Sequence, residues 1–321
     1  MFKIQHYPNH RYHKNIPVRS AFSRSEGVSD VIEKIVYWVK LGRPLVLLAG
    51  VIAYLLGLSM AYHESGIIDL SAAVLGMVIM VSAILMAHYA NEFADIDTDS
   101  LTRRTWFSGG SGILPAGLVS PRLALVSAFA FLTVSVSSTA AAIFLGIVAP
   151  IVGVVVLVGI AGGWSYSMPP LRLERTWFGE IDNALLGGFL MPLIAYTCQV
   201  GSVGFDAMAS CVPIFFAVLA NLLGVHWADR KADEMVGKRS LVVRLGERSR
   251  RLHTISILMI YVSTVVLLGY GLPFEVAVAG LFTLPFGLWA IVAFGRGSSP
   301  LPSSATMVVL MLFTSVGWIL A

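Results

Sequence analysis

Residues 70–99 read LSAAVLGMVIMVSAILMAHYANEFADIDTD, an apolar run that ends in a cluster of acidic residues. The apolar part is long enough to cross the hydrocarbon core of a bilayer, which takes about 20 residues. Eight further runs of similar character give a set of predicted spans at 44–62, 68–90, 122–143, 147–163, 183–200, 211–228, 254–271, 273–294 and 304–321. The sequence therefore predicts an all-α polytopic membrane protein with nine transmembrane helices.

Composition supports the same class of protein. Of the 321 residues, 57% are hydrophobic and only 12% are charged, about half the 25% that is usual for a soluble globular domain. The mean hydropathy is +0.81. These values exclude a soluble enzyme, a disordered chain and a coiled coil.

The chain divides into a polar, basic segment at 1–40 and a transmembrane domain at 41–321. Apolar residues recur at helical spacing between Val31 and Val39, which predicts either a helix lying in the membrane interface or an early turn of the first span. The first 27 residues carry five basic residues and one acidic residue, so a targeting segment stays open as an alternative.

The basic residues indicate an orientation. With nine spans, all 22 Lys and Arg residues fall on one side, whereas the loops of the other side carry only the acidic Glu64, Asp69, Asp206 and Glu275. Because cytoplasmic loops are enriched in Lys and Arg, we expect the N-terminus and the basic face in the cytoplasm. The C-terminus is then expected on the opposite side.

Two acidic motifs end the second and the sixth predicted span. Asn91, Asp95 and Asp99 are spaced four residues apart, as are Asp229 and Asp233, so each set shares one face of a helix. Stacked carboxylates repel each other, and hard divalent cations such as Mg²⁺, completed by water and substrate phosphates, relieve that repulsion. The pattern predicts a metal–diphosphate site between the cytoplasmic ends of the two helices, although solvated helix ends would show the same residues. The spacing of four spans also predicts two pseudo-repeats.

These motifs resemble those of the UbiA superfamily of intramembrane prenyltransferases. The family pattern N-D-x-x-D-x-x-x-D is matched by 91–99 with Glu92 in place of the first Asp, and D-x-x-x-D is matched by 229–233. Residues 166–173 resemble the Y-S-x-P-P-x-R-L element, 237–246 resemble G-K-R-S-L…R-L-G, and 43–44 match the R-P entry to the first span.

The glycine-rich residues 107–114 resemble one branch of this superfamily, the 1,4-dihydroxy-2-naphthoate prenyltransferases of menaquinone biosynthesis. The chain departs from that branch at His226 and Ala228, where Asn and Arg are usual. The identity of the acceptor is therefore open.

The resemblance implies nine helices around a central cavity and Mg²⁺-dependent transfer of an isoprenyl group from an isoprenyl diphosphate to a lipophilic or aromatic acceptor. It also implies roles for particular residues. Implied ligands of the metal and the diphosphate are Asn91, Glu92, Asp95, Asp99, Asp229 and Asp233. Implied substrate contacts are Arg103, Arg104, Arg172 and Lys238 for the diphosphate, Tyr166 for the allylic cation and Arg43 for the acceptor. Membrane lipid is the only other partner expected, with no nucleic acid and no obligate protein.

Two alternatives remain at this stage. A member of the same superfamily can use a non-aromatic acceptor or cyclise its substrate, and a cation-coupled transporter can use acidic clusters as an ion site. No Lys or Arg lies in the middle of a predicted span, which disfavours a transporter because such proteins keep ionisable groups near the midplane.

Overall fold

The computed structural model describes residues 28–101, 110–296 and 299–321, and regular structure within these ranges is entirely helical. The α-helices are α1 (Val28–Leu41), α2 (Pro44–Ser65), α3 (Leu70–Ala94), α4 (Ile96–Leu101), α5 (Pro121–Phe144), α6 (Ile151–Ser167), α7 (Gly179–Leu185), α8 (Met191–Val200), α9 (Phe205–Ser210), α10 (Val212–Met235), α11 (Leu241–Leu245), α12 (Ser249–Leu268), α13 (Phe274–Leu281), α14 (Leu284–Ala293) and α15 (Leu301–Leu320). A π-helical turn, Leu186–Leu190, joins α7 to α8.

Eight stretches of the described chain are long and apolar enough to span a membrane. They are α2, α3, α5, α7 with α8, α9 with α10, α11 with α12, α13 with α14, and α15. The remaining predicted span, 147–163, corresponds to α6, which has only 17 residues and rises about 25 Å, less than the 30 Å of a typical hydrocarbon core. Eight of the nine predicted spans are thus found at full length, and the remaining one is α6, a shorter apolar helix.

The first acidic motif lies at a junction between two helices. Helix α3 ends at Ala94, Asp95 has the non-helical angles φ −98° and ψ 10°, and α4 begins at the next residue. The backbone hydrogen bonds nevertheless continue at four-residue spacing, from Asp95 N–H to Asn91 O at 2.9 Å and from Asp99 N–H to Asp95 O at 2.8 Å. The predicted register of the motif is thus retained across a break that the sequence did not predict.

Small residues set the closest helix contacts. A Cβ added at Gly57 of α2 would lie 1.9 Å from the carbonyl oxygen of Pro192 in α8, so only glycine permits this approach. Between α3 and α5, the Ser135 hydroxyl donates to the Ile79 carbonyl at 3.0 Å. Close backbone approach and interhelical hydrogen bonds hold membrane helices together, because lipid offers no hydrophobic driving force between them.

Helix α1 precedes the first span and exposes most of its apolar side chains. Val31, Ile32, Ile35, Val36 and Val39 are each 44–56% exposed. The helix is fixed to the bundle near its end, where Tyr89 of α3 donates from its hydroxyl to the Trp38 carbonyl at 2.7 Å. These features agree with a helix at the membrane interface, which stays a prediction.

Candidate active site

The two acidic motifs meet at one polar pocket of about 90 Å³. Eight of the residues predicted from the sequence line it, namely Arg43, Asn91, Asp95, Asp99, Tyr166, Asp229, Asp233 and Lys238. The lining is completed by Thr98, Gly110, Glu174, Val225 and His226. The structure therefore brings the ends of α3, α4, α6 and α10 to a common point at one end of the helix bundle.

Lys238 ties the two acidic motifs together. Its ammonium lies 2.5 Å from Asp95 Oδ1, 3.8 Å from Asp233 Oδ1 and 3.9 Å from Glu174 Oε2. The backbone N–H of Lys238 bonds to the Asp233 carbonyl at 2.9 Å, so the chain turns back over the end of α10. Burial opposes the positive charge, but the surrounding carboxylates outweigh it and raise the pKa of Lys238.

Asn91 orients the acidic groups around it. Its side-chain amide donates to Asp95 Oδ2 at 2.9 Å, to Glu174 Oε2 at 2.9 Å and to the Ser167 hydroxyl at 3.0 Å. An amide nitrogen has two hydrogens, so three acceptors share them. Asn91 thereby fixes the rotamers of two pocket carboxylates.

Glu174 is a pocket residue that the sequence analysis missed. It lies in a short 3₁₀ turn after α6 and is 4% exposed. Burial, followed by the negative charge of Asp95, raises the pKa of Glu174 to about 8. In the sequence it is a single acid between Arg172 and Arg175 and resembles ordinary charge in a loop, so no spacing could identify it.

Asp99 lies under the glycine-rich segment. Gly110 has φ +60°, and a Cβ added there would lie 1.9 Å from Asp99 Oδ2, so the described end of that segment packs directly on the carboxylate. Burial, opposed by Arg43 and assisted by Asp95, raises the pKa of Asp99 to about 7. The Arg43 guanidinium is near but not bonded, with its Nη2 4.0 Å from Asp99 Oδ2.

A second buried pair supports the wall of the pocket formed by α10. His226 Nδ1 lies 2.9 Å from Glu180 Oε1, and the same oxygen accepts from the Leu241 backbone N–H at 2.9 Å. Glu180 is fully buried. His226 is therefore hydrogen-bonded on one side, and its side chain also lines the pocket.

Two predicted site residues that the structure describes do not line the pocket. Arg172 is exposed at the surface, and Glu92, 1% exposed, lies behind the lining with its carboxylate bonded to Arg43 and Ser111. Arg103 and Arg104 fall outside the described residues.

The donor set of the pocket fits Mg²⁺. Asp99 Oδ2 and Glu174 Oε1 are buried and accept no hydrogen bond from the described residues, and carboxylate oxygens are the ligands that this ion prefers. No three His, Cys, Asp or Glu side chains in the described ranges converge as a complete metal cage. Such a cage is not required, because Mg²⁺ commonly takes one or two carboxylates and completes its shell with water and substrate phosphates.

The chain resembles known proteins in sequence and in fold. The model of the UbiA prenyltransferase family matches residues 50–316. A UbiA homologue from Archaeoglobus fulgidus, solved with GPP and Mg²⁺, superposes with a TM-score of 0.70 at 20% identity and covers 89% of this chain and 100% of its own. At that identity the likeness shows the fold.

Two curated relatives match over shorter stretches. The 1,4-dihydroxy-2-naphthoate octaprenyltransferase of Bacillus subtilis (strain 168) is 28% identical over 92 residues, which is 29% of this chain and 30% of that protein. The 2-carboxy-1,4-naphthoquinone phytyltransferase of Synechocystis sp. is 28% identical over 113 residues, 34% of this chain and 37% of that protein. The alignments thus span about a third of each relative.

Proposed function

The chain belongs to the UbiA prenyltransferase family, and we propose that it transfers an isoprenyl group from an isoprenyl diphosphate to a lipophilic acceptor. One observation carries the proposal. Carboxylates of both acidic motifs and the ammonium of Lys238 line the same pocket at one end of a bundle of membrane-spanning helices. A diphosphate bound with divalent cations needs this mixture of negative and positive groups.

We propose that Asn91, Asp95, Asp99, Asp229 and Asp233 hold the metal and the diphosphate. Mg²⁺, when bound, supplies positive charge that makes diphosphate a better leaving group. Lys238 and Arg43 place two further cations at the lining, where they can bond phosphate oxygens as negative charge develops. Arg172 is exposed, so we leave it out of this set, while Arg103 and Arg104 stay predictions.

The lining also suits an allylic cation. Tyr166 ends α6 beside the carboxylates and lines the pocket, and an aromatic face attracts a cation within about 6 Å. Exclusion of water prevents hydrolysis of a reactive carbon centre. In the transfer, the C–O bond of the donor breaks, a bond to the acceptor forms, and the acceptor releases a proton.

We favour an aromatic, 1,4-dihydroxy-2-naphthoate-like acceptor and therefore a place in quinone biosynthesis. Both curated relatives act on naphthalene-type acceptors, as their names state. A family member with a non-aromatic acceptor, or one that cyclises its substrate, is the alternative. The family match supports either of these over the cation-coupled transporter considered from the acidic clusters alone.

We further propose that the pocket faces the cytoplasm. Met235 and Lys238 mark the pocket end of α10, and the loop that follows it is one of the most basic of the chain. Basic loops are retained on the cytoplasmic side during insertion.

The decisive experiment uses purified full-length protein with labelled isoprenyl diphosphates of several chain lengths, with Mg²⁺ or with EDTA. We expect Mg²⁺-dependent release of diphosphate, and a prenylated product by mass spectrometry when a dihydroxynaphthoate is supplied. Product without added acceptor would instead indicate cyclisation. No release with any donor, together with ion-driven uptake in liposomes, would refute the proposal.

Two substitutions localise the activity. Asp95→Ala and Asp229→Ala each remove a carboxylate from the pocket, and we expect kcat/KM to fall at least about a hundredfold. Asp206→Ala is the matched control, because Asp206 is exposed in α9 and does not line the pocket. Full activity of both pocket variants would refute the site.

A further inference from the structure

Glu92 is a buried carboxylate that bonds to two distant parts of the chain, Arg43 and Ser111. Its Oε1 accepts from Arg43 Nε at 2.6 Å and from the Ser111 backbone N–H at 2.8 Å. Its Oε2 accepts from the Ser111 hydroxyl at 2.5 Å. The residue is 1% exposed and is absent from the lining of the pocket, whereas its motif neighbours Asn91, Asp95 and Asp99 all line it.

These bonds leave little capacity for a metal ion. A carboxylate has about four lone-pair positions, and the described partners already occupy three of them. Turning Glu92 into the pocket would break the ion pair with Arg43 and strand the Ser111 backbone N–H in a buried position. An unpaired buried polar group is strongly unfavourable, so the present orientation is held from two sides.

The partners of Glu92 belong to two segments that both approach Asp99 Oδ2. Arg43 precedes α2 in a left-handed conformation with φ 49°, and its Nη2 lies 4.0 Å from Asp99 Oδ2. Ser111 follows Gly110, the residue whose backbone packs on the same oxygen. Glu92 therefore bonds to both of the segments that approach the Asp99 carboxylate.

We propose that Glu92 is a positioning residue, which aligns Arg43 and residues 110–112 around Asp99 and does not itself bind the metal. The importance of this alignment for catalysis rests on the proposed prenyl transfer. The anchoring itself does not, since it concerns contacts within the protein. This role differs from the one that the resemblance implies for the same position.

The side-chain length gives a sharp test. Aspartate at this position would restore the family motif but shorten the reach by about 1.5 Å, one carbon–carbon bond. A metal ligand in that motif tolerates Glu92→Asp, whereas an anchor to Ser111 does not. Glu92→Gln keeps the length, removes the charge, and replaces one acceptor by a donor.

The first measurement is thermal unfolding in EDTA, where no metal contributes. For an anchor, Glu92→Gln and Glu92→Asp lower the midpoint by at least about 3 °C. Ser111→Ala lowers the midpoint less, because the hydrogen bond from the Ser111 backbone N–H remains. The double variant Glu92→Gln, Ser111→Ala lowers the midpoint by less than the two single variants added together. The matched control is Asp99→Asn, which leaves the midpoint unchanged or raised because it relieves repulsion with Asp95.

The second measurement is the Mg²⁺ concentration for half-maximal diphosphate release. We expect a lower kcat and a smaller shift in this concentration for Glu92→Gln than for Asp99→Asn, which removes a proposed ligand and shifts it at least about tenfold. The proposal would be overturned if the thermal midpoint of Glu92→Gln in EDTA were unchanged or raised and its half-maximal Mg²⁺ concentration shifted as much as that of Asp99→Asn. Should the wild type release no diphosphate, prenyl transfer fails, and the EDTA midpoints still decide the role of Glu92.

Discussion

His226 shows how a single side chain can belong to the pocket and to the packing at once. Its Nδ1 is bonded to the buried Glu180, while its ring lines the cavity. A hydrogen bond to a charged group contributes about 1.5–3 kcal/mol to stability, so its removal measurably lowers the free energy of unfolding. Asparagine and glutamine can separate the contributions of the two ring nitrogens to stability, because the NH₂ of asparagine lies near the position of Nδ1 and that of glutamine near the position of Nε2.

We predict different stabilities for His226→Asn and His226→Gln. The shorter amide places its NH₂ near the position of Nδ1 and can keep the bond to Glu180, whereas the longer one overreaches it. The thermal midpoint of His226→Gln is expected at least about 2 °C below that of His226→Asn. The opposite order would show that Glu180 does not depend on this bond.

The backbone of Gly110 packs directly against the carboxylate of Asp99, which we propose as a metal ligand. Gly110→Ala would introduce a Cβ 1.9 Å from Asp99 Oδ2, in a backbone with φ +60°. We predict at least a roughly tenfold loss of kcat/KM, because Asp99 must move. Gly117→Ala is the control for backbone strain alone, since Gly117 has φ +68° and no atom within 4 Å of an added Cβ. Equal losses in both variants would contradict the argument.

At the scale of helices, the close approach of α2 to α8 depends on Gly57. We predict that Gly57→Ala destabilises the protein by about 1–3 kcal/mol, because its Cβ would overlap the backbone of Pro192 and the helices must separate. Gly159→Ala in α6 is the control, since the nearest atom would be 3.9 Å away and alanine favours helix. Thermal unfolding in detergent measures both, and similar midpoints for the two variants would argue against the contact.

The helices also show what could be predicted from the sequence. Hydropathy and charge located eight spans because length and apolar character are local properties, and the four-residue spacing of Asn91, Asp95 and Asp99 survived a helix break. Glu174 and Glu180 escaped prediction because neither belongs to a recognisable motif. Only their tertiary contacts with Asn91 and His226 give them a role. The role of Ser111 likewise appears only when the distant Glu92 is placed beside it.

At the scale of the whole molecule, the pocket end and the opposite end differ in chemistry. The far end carries the Glu64–Tyr196 pair and the bond from the Asp69 backbone N–H to the Gln199 side chain at 2.8 Å. There the Glu64 carboxylate accepts from the Tyr196 hydroxyl, and the Asp69 carboxylate accepts from the Ala72 backbone N–H at 3.0 Å. This asymmetry fits a protein inserted with its basic end in the cytoplasm.

Orientation can be tested with single cysteines and a membrane-impermeant thiol reagent. Both native cysteines, Cys198 and Cys211, are buried, so background labelling is expected to be low. We predict that Tyr270→Cys, 80% exposed at the far end, reacts in intact cells. Met235→Cys, 73% exposed at the pocket end, is expected to react only after the cytoplasmic side is opened. The reverse pattern would place the pocket outside.

One consequence follows from the position of Lys238, whose ammonium contacts carboxylates from the end of α3, from the turn after α6 and from α10. Three separate parts of the polypeptide share one counter-ion, so a change of charge at any of them is felt by the other two. Among related sequences, we therefore expect substitution of Lys238 to be accompanied by substitution of at least one of its acidic neighbours.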